Sequence, residues 1–469
     1  MHNETIRGSV VLEDNENIEI LRGDPKKALL KLAIPMVFAL LLISFNNIID
    51  RIWVAGLGTD VLAAIGFVSP LFMIIVGIGS GLGAGSNSAI SRFIGSKQKD
   101  NAQNSALHAI LIVTIVSILI PLLVIPFFDD IIVYMGAGSV MNYAQDYGIT
   151  ILFGSFAFLF NLLFSCQLRA EGDMKKATFV MAAVEVLNMI LDPIFIYMLK
   201  LGIKGAAIAT IISSIIPTLV AVYWMFMKKN TYLNYDIRLF KYHSSYIKDI
   251  LLVGIPASLE EFIISLVNII LNSMLVLVAG TNIIAAFNVS FIILQLGMMP
   301  CIAIGTSAIT VAGVAYGAKE YDKVKTTCHY GIKISLIIAS IITVLLIIFA
   351  SQLSMLFTYN QPNNELHGLI VHVLQIVSVF LVVTPIGGIC AMVFQAMGKG
   401  TISLLLTVIR ELIFVVLLSY LFGIFFNYGV NGVLVGFIMG LIIGSAISLI
   451  VFEYFIKKLE KDNLTYSPT

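Results

Sequence analysis

The chain has 469 residues, 59% hydrophobic and only 12% charged, with a mean hydropathy of +0.99. A water-soluble protein of that length needs far more polar surface, so a soluble enzyme and a nucleic-acid-binding module are both excluded. The formal net charge of +1 says little, but the placement of the charges along the chain says a great deal.

Residues 1–28 are polar, acidic at Glu13, Asp14, Glu16 and Glu19 and then basic at Lys26 and Lys27. They read as a cytoplasmic tail with no secretory signal. Crossing the hydrocarbon takes about 20 apolar residues. Stretches of that kind occur near 29–54, 61–90, 105–126, 143–168, 177–199, 203–227, 247–278, 283–314, 327–350, 367–396, 402–422 and 430–456. The expected fold is therefore an all-α membrane protein of twelve transmembrane helices. Helices 1–6 (29–227) form an N-terminal lobe and helices 7–12 (247–456) a C-terminal lobe, with a basic linker at 228–246 and a tail at 457–469. The four cysteines, Cys166, Cys301, Cys328 and Cys390, show neither a CxxC spacing nor a metal-ligand pattern with histidine, and read as core filler.

Lysine and arginine alternate between loops. The N-terminal tail, the even loops and the C-terminal tail carry 22 of them, and the odd loops carry two, Lys200 and Lys204. The positive-inside rule then predicts that both termini are cytoplasmic, which an even number of spans also requires.

The two halves repeat. LAIPMVFALLLISFNNIIDRIWVAGLGTDVLAAIGF from Leu32 is echoed by VGIPASLEEFIISLVNIILNSMLVLVAGTNIIAAFNV from Val253. Gly58-Thr59-Asp60 corresponds to Gly280-Thr281-Asn282, and Gly95-Ser96-Lys97 to Gly317-Ala318-Lys319. CQLRAEGDMKKA, between helices 4 and 5, matches FQAMGKGTISLL, between helices 10 and 11. Each half has an even number of spans, so the repeat is parallel, about an axis along the membrane normal. That arrangement suits a central cavity open to one side at a time.

Ionisable residues within spans are costly and mark function. The embedded acids are Asp50, Glu185, Asp192, Glu260, Glu261 and Glu411, with Arg51 and Arg410 as bases. At 1.5 Å per residue, Asp50, Asp192 and Thr210 fall at similar depth in the outer half of the first lobe. Glu185, Asn188 and Asp192 share one helix face. Pro193 then removes a backbone hydrogen bond and can free a carbonyl. The cluster is rich in oxygen, which suits Na⁺. It suits a proton equally, because two neighbouring carboxylates cannot both stay charged cheaply. The alternative is that these groups only hydrogen-bond helices 1, 5 and 6 together. The second lobe does not repeat the cluster: Asn272 replaces Asp50, and helix 11 offers Arg410 and Glu411, which either pair internally or face the cavity. Glu260 and Glu261 point about 100° apart on helix 7, and one of them is expected to face a cationic substrate. Glycines 77, 79, 81, 83 and 85 read as a close-packing stripe, since no phosphate-loop Lys-Ser/Thr follows.

Pro35 and Asp50 on helix 1, Asn188-Met189-Ile190-Leu191-Asp192-Pro193, and the following Gly205-Ala206-Ala207-Ile208-Ala209-Thr210 resemble the MATE (multidrug and toxic compound extrusion) transporters, in the DinF-like and MepA-like prokaryotic branch. The resemblance covers residues 25–456. It implies a V-shaped pair of six-helix bundles in the inner membrane and export of small organic cations or other drug-like compounds. It also implies coupling to inward Na⁺ or H⁺ at Asp50, Asn188, Asp192 and Thr210. No cofactor other than that ion, no nucleic acid and a monomeric state are expected. NorM-like members carry a helix 7 acid further along and another on helix 10; here Glu260 and Glu261 come a turn earlier and helix 10 has none. Lipid-linked oligosaccharide flippases share the architecture, but six embedded acids against two bases disfavour a pyrophosphate substrate. An intramembrane aspartyl protease would need a GxGD motif, which is absent, and Tyr235-Asp236 sits in a loop.

Overall fold

The computed structural model describes residues 16–233, 235–280, 282–358 and 365–465. Arg7, Glu13, Asp14 and Thr281 lie outside the described residues. Among those described, every regular element is helical. A short helix over 16–22 precedes α1 (Pro25–Ala55), which begins on a proline whose missing N–H has no helical partner to lose. Then follow α2 (Thr59–Gly95), α3 (Lys99–Tyr134), α4 (Gly138–Phe153 with Ser155–Ala170), α5 (Met174–Met198) and α6 (Gly202–Lys228). The second half has α7 (Ser244–Ala279), α8 (Asn282–Gly317), α9 (Tyr321–Ile348), α10 (Glu365–Val377 with Phe380–Ala396), α11 (Gly400–Phe425) and α12 (Gly429–Asp462). Ten of these are unbroken helices long and apolar enough to span a bilayer; α4 and α10 are bent pairs, by 45° and 43°. Counting each bent pair as one span gives twelve.

The repeat is visible in turn chemistry. Lys97 and Lys319 both adopt left-handed φ, 60° and 61°. Each is followed by a residue whose N–H reaches back five positions, Gln98 to Phe93 O at 2.9 Å and Glu320 to Ala315 O at 2.9 Å. Gly172 (φ 78°) and Gly398 (φ 74°) close α4 and α10 in the same way. Gly205 and Gly432, 227 positions apart, each face a carbonyl one helix back, that of Phe195 and that of Phe422. In that register Ser419 stands where the first half has Asp192, Val415 where it has Asn188, and Phe437 where it has Thr210.

The chain divides into two compact units. One comprises Pro35–Ser258 with the segment ending at Gly23, and the other comprises Asp24–Ile34 with the chain from Leu259 onward. The second unit therefore begins with Asp24 and the first ten residues of α1, and the start of α7 belongs to the first unit. In each half the change of unit falls near the Ile-Pro step, at Pro35 and Pro256. The first unit's core gathers around Val68, Phe128, Leu159 and Ile250. The second gathers around Leu271, Phe287, Leu374 and Phe437. All four cysteines are free and buried.

The glycine stripe on α2 has a packing cause. A Cβ on Gly85 would collide with the Ile250 carbonyl and Gly254 of α7, and one on Gly83 with Cys166 of α4. G85L should therefore destabilise the folded protein by about 1–3 kcal/mol through overpacking. A lower detergent melting temperature checks it, with G66L as the control, since a Cβ on Gly66 meets nothing within 4 Å.

The linker between α6 and α7 is strapped to the first unit. Glu171, 1% exposed, accepts from Tyr232 N at 2.8 Å, Leu233 N at 3.4 Å and the Tyr235 hydroxyl at 2.7 Å. Asn104 Oδ1 accepts from Lys241 N at 2.9 Å, and His108 Nε2 from His243 N at 3.0 Å. Burial pushes the Glu171 carboxyl up to about 8, against the pull of these three donors, and the Asp173 charge adds to the rise. The native state thus holds a proton that the unfolded chain releases from about 4.5 upward, so stability falls as pH rises from about 4.5 to about 8. E171Q, which cannot ionise, should flatten the melting temperature across that window.

Candidate functional site: a carboxyl and amide cluster on α1, α5 and α6

Three helices of the first unit converge on one polar cluster. From α1 come Asn46 and Asp50, a turn apart on one face. From α5 come Glu185, Asn188 and Asp192, and from α6 comes Thr210. Asp192 is fully buried, Asn188 is 4% exposed and Asn46 is 7% exposed. Asn46 Nδ2 donates to Glu185 Oε2 and to Asn188 Oδ1, both at 2.8 Å. Asn188 Nδ2 donates to Asp192 Oδ1 at 2.9 Å and to Thr210 Oγ1 at 3.5 Å. The Thr210 hydroxyl in turn donates to Ala206 O at 2.8 Å, which turns its lone pairs inward. The carboxyls of Asp50 and Asp192 face one another within hydrogen-bonding reach, and Tyr147 of α4 lies close enough to feel both. Just past Asp192, Pro193 lacks an N–H, and the backbone widens to an i→i+5 pattern over Ile194–Met198.

Two oxygens in this cluster, Asp192 Oδ2 and Asn46 Oδ1, are buried with no hydrogen-bond partner among the described residues. Leaving such acceptors bare costs about 1–3 kcal/mol each. Two facing carboxyls must also share a proton or a cation. Among the described residues no grouping of three or more histidine, cysteine or acidic side chains is arranged to hold a metal ion. The donor set here mixes carboxyl, amide and hydroxyl oxygens, which are hard-cation ligands.

Asp50, Asn188, Asp192 and Thr210 thus meet, and Glu185 joins them through Asn46. The sequence reading missed Asn46. Its signal was the i, i+4 spacing to Asp50, muted because a neutral amide in a span reads as ordinary interhelical packing.

The other candidates lie in the second unit. Glu260 is 9% exposed and accepts from Gln395 Nε2 at 3.2 Å, with Ser403 as a further donor. Glu261, the next residue, is exposed. Asn272 is half-buried, with its Oδ1 lacking a partner among the described residues. Arg410 Nε donates to Glu411 Oε1 at 2.9 Å, a buried pair with side chains 5% and 10% exposed. Arg410 fits against Gly387 and Gly444, where any Cβ would strike it.

The site and the paired units define a polytopic helical membrane transporter. The MatE family model matches residues 35–194 and 256–421, one stretch in each half, so the chain belongs to the MatE family. It is a secondary transporter rather than an enzyme. It is 27% identical over 340 residues to the probable multidrug resistance protein YoeA of Bacillus subtilis, covering 70% of this chain and 73% of that one. It is 26% identical over 413 residues to the multidrug export protein MepA of Staphylococcus haemolyticus, covering 87% and 89%. Among solved structures, a MATE crystallised in complex with MaL6 aligns with a TM-score of 0.92 at 36% identity, over 95% of this chain and 99% of that one. A MOP superfamily transporter from Pyrococcus furiosus aligns at 0.91, also at 36% identity, over 95% and 98%.

Proposed function

We propose that this protein exports small, drug-like organic cations across the cell membrane in exchange for inward Na⁺ or H⁺, which binds at Asp50, Asn188, Asp192 and Thr210. The observation that carries this reading is the facing pair of carboxyls beside two bare, buried oxygens. A cation placed there satisfies both, and its departure leaves a charge that the membrane interior penalises. Export follows if ion and substrate bind with negative coupling, so that loading from outside expels the drug and loading of the drug from inside expels the ion. The multidrug names of the relatives support drug-like cargo, and the excess of embedded acids over bases supports a cationic one. Both termini are assigned to the cytoplasm on the alternation of basic loops.

The test is ethidium efflux from proteoliposomes with Na⁺ and pH gradients imposed independently. One of the two gradients should drive efflux. Efflux indifferent to both would refute antiport, and selective movement of a polyprenyl pyrophosphate would indicate a flippase instead.

A further inference from the structure

A groove along the start of α7 has no part in the exchange described above. Its volume is about 540 Å³, in the range of small-ligand sites. It is apolar along Leu251, Leu252, Ile255 and Pro256, and polar at the end nearer the linker, where Tyr242 and Lys248 stand. All of these residues belong to the first unit. Helix periodicity builds the lining: Lys248, Leu252 and Ile255 stand at i, i+4 and i+7, on one face. Leu252 is 43% exposed and Ile255 52% exposed. From Lys248 to Pro256 the helix runs about 12 Å along the span. Tyr242 is exposed too, with its ring 5.9 Å from that of His108 of α3, as befits an aromatic at a membrane interface.

The charges around the groove leave positive charge to spare. Asp249, the residue after Lys248, lies 3.6 Å from Arg92 of α2. Asp236 of the linker faces Lys229 and Arg238. Lys241 and Lys248 are exposed and form no ion pair among the described residues. An apolar slot with a free cation at its mouth complements an amphiphile with an anionic head. The basic loops are assigned above to the cytoplasm, where the leaflet carries anionic lipid and each nearby lysine favours it. A zwitterionic lipid fills the slot equally well but offers Lys248 no net charge.

We propose that this groove binds an anionic phospholipid of the cytoplasmic leaflet, with one acyl chain along Leu251, Leu252, Ile255 and Pro256 and the phosphate at Lys248 and Tyr242. Lys248 supplies the charge and Tyr242 a hydroxyl donor. The lipid then sits where the linker enters α7, a helix whose start and remainder fall in different units. The site is independent of the coupling ion and of the cargo.

The test is fluorescence quenching by brominated lipids. The chain has two tryptophans, Trp53 and Trp224. Changing both to phenylalanine and adding I255W leaves one indole, in the groove. In proteoliposomes, brominated phosphatidylglycerol should bind there about fivefold more tightly than brominated phosphatidylcholine, the worth of one basic side chain at an anionic headgroup. K248Q should abolish the preference and K248R should keep it. K458Q, at an exposed lysine near the end of α12, should leave it unchanged. The two lipids are compared on one protein, so a loss of folded material lowers both signals alike. Equal binding of the two lipids with Lys248 in place, or a preference that survives K248Q, overturns the proposal. Brominated oleate binding more tightly than brominated phosphatidylglycerol also overturns it, and assigns the groove to a free fatty acid.

Discussion

Asp192→Asn is expected to abolish ion-driven efflux, cutting the gradient-dependent rate at least about 100-fold, equivalent to about 2.7 kcal/mol of lost coupling. The substitution keeps the size of the side chain and an oxygen to accept from Asn188 Nδ2, so the α1–α5–α6 contact survives. It removes one of the two facing charges, so Asp50 alone is left to hold a cation or proton between positions 50 and 192. The melting temperature of the purified variant should stay near that of wild type, which separates lost coupling from lost folding. A variant that retains most of its Na⁺- or pH-driven efflux contradicts the assignment.

The second large effect is expected in the other unit and concerns stability rather than transport. Arg410→Ala leaves Glu411 buried without its 2.9 Å partner, and breaking a buried ion pair on one side costs about 3–5 kcal/mol. The cavity left against Gly387 and Gly444 adds to that, because both glycines owe their lack of a side chain to the arginine. Replacing Arg410 and Glu411 together by leucine should be far milder, since no orphan charge remains. Thermal melting of the three proteins in one detergent decides the point. Equal melting of wild type and Arg410→Ala would show that the pair bears no load.

The spans were legible because bilayer thickness imposes one length on every helix, and because the loops alternate in basic charge. The convergence of Asp50, Asn188, Asp192 and Thr210 was legible for a related reason: depth follows from residue count along a helix, and three helices of known direction carry their polar groups to one level. Three features were not readable in that way. The 45° bend in α4 falls at Gly154, where a Cβ would strike Ile211 of α6, a contact that no local pattern announces. The burial of Glu171 comes from a linker more than fifty residues away folding back onto it, which the sequence of the turn itself does not announce. The start of α1 belongs to the second unit and the start of α7 to the first. The shared Ile-Pro step marks where each helix changes allegiance, but nothing in its spacing says so.

The central claim is that ion and substrate exclude one another through the cluster around Asp192. Its most direct test is equilibrium binding of ethidium to the purified protein while Na⁺ and pH are varied separately. The apparent affinity should fall as the coupling ion is raised and then level off, and in Asp192→Asn it should not respond. An ethidium affinity that ignores both ions in the wild-type protein, or that responds identically in the variant, would contradict the account.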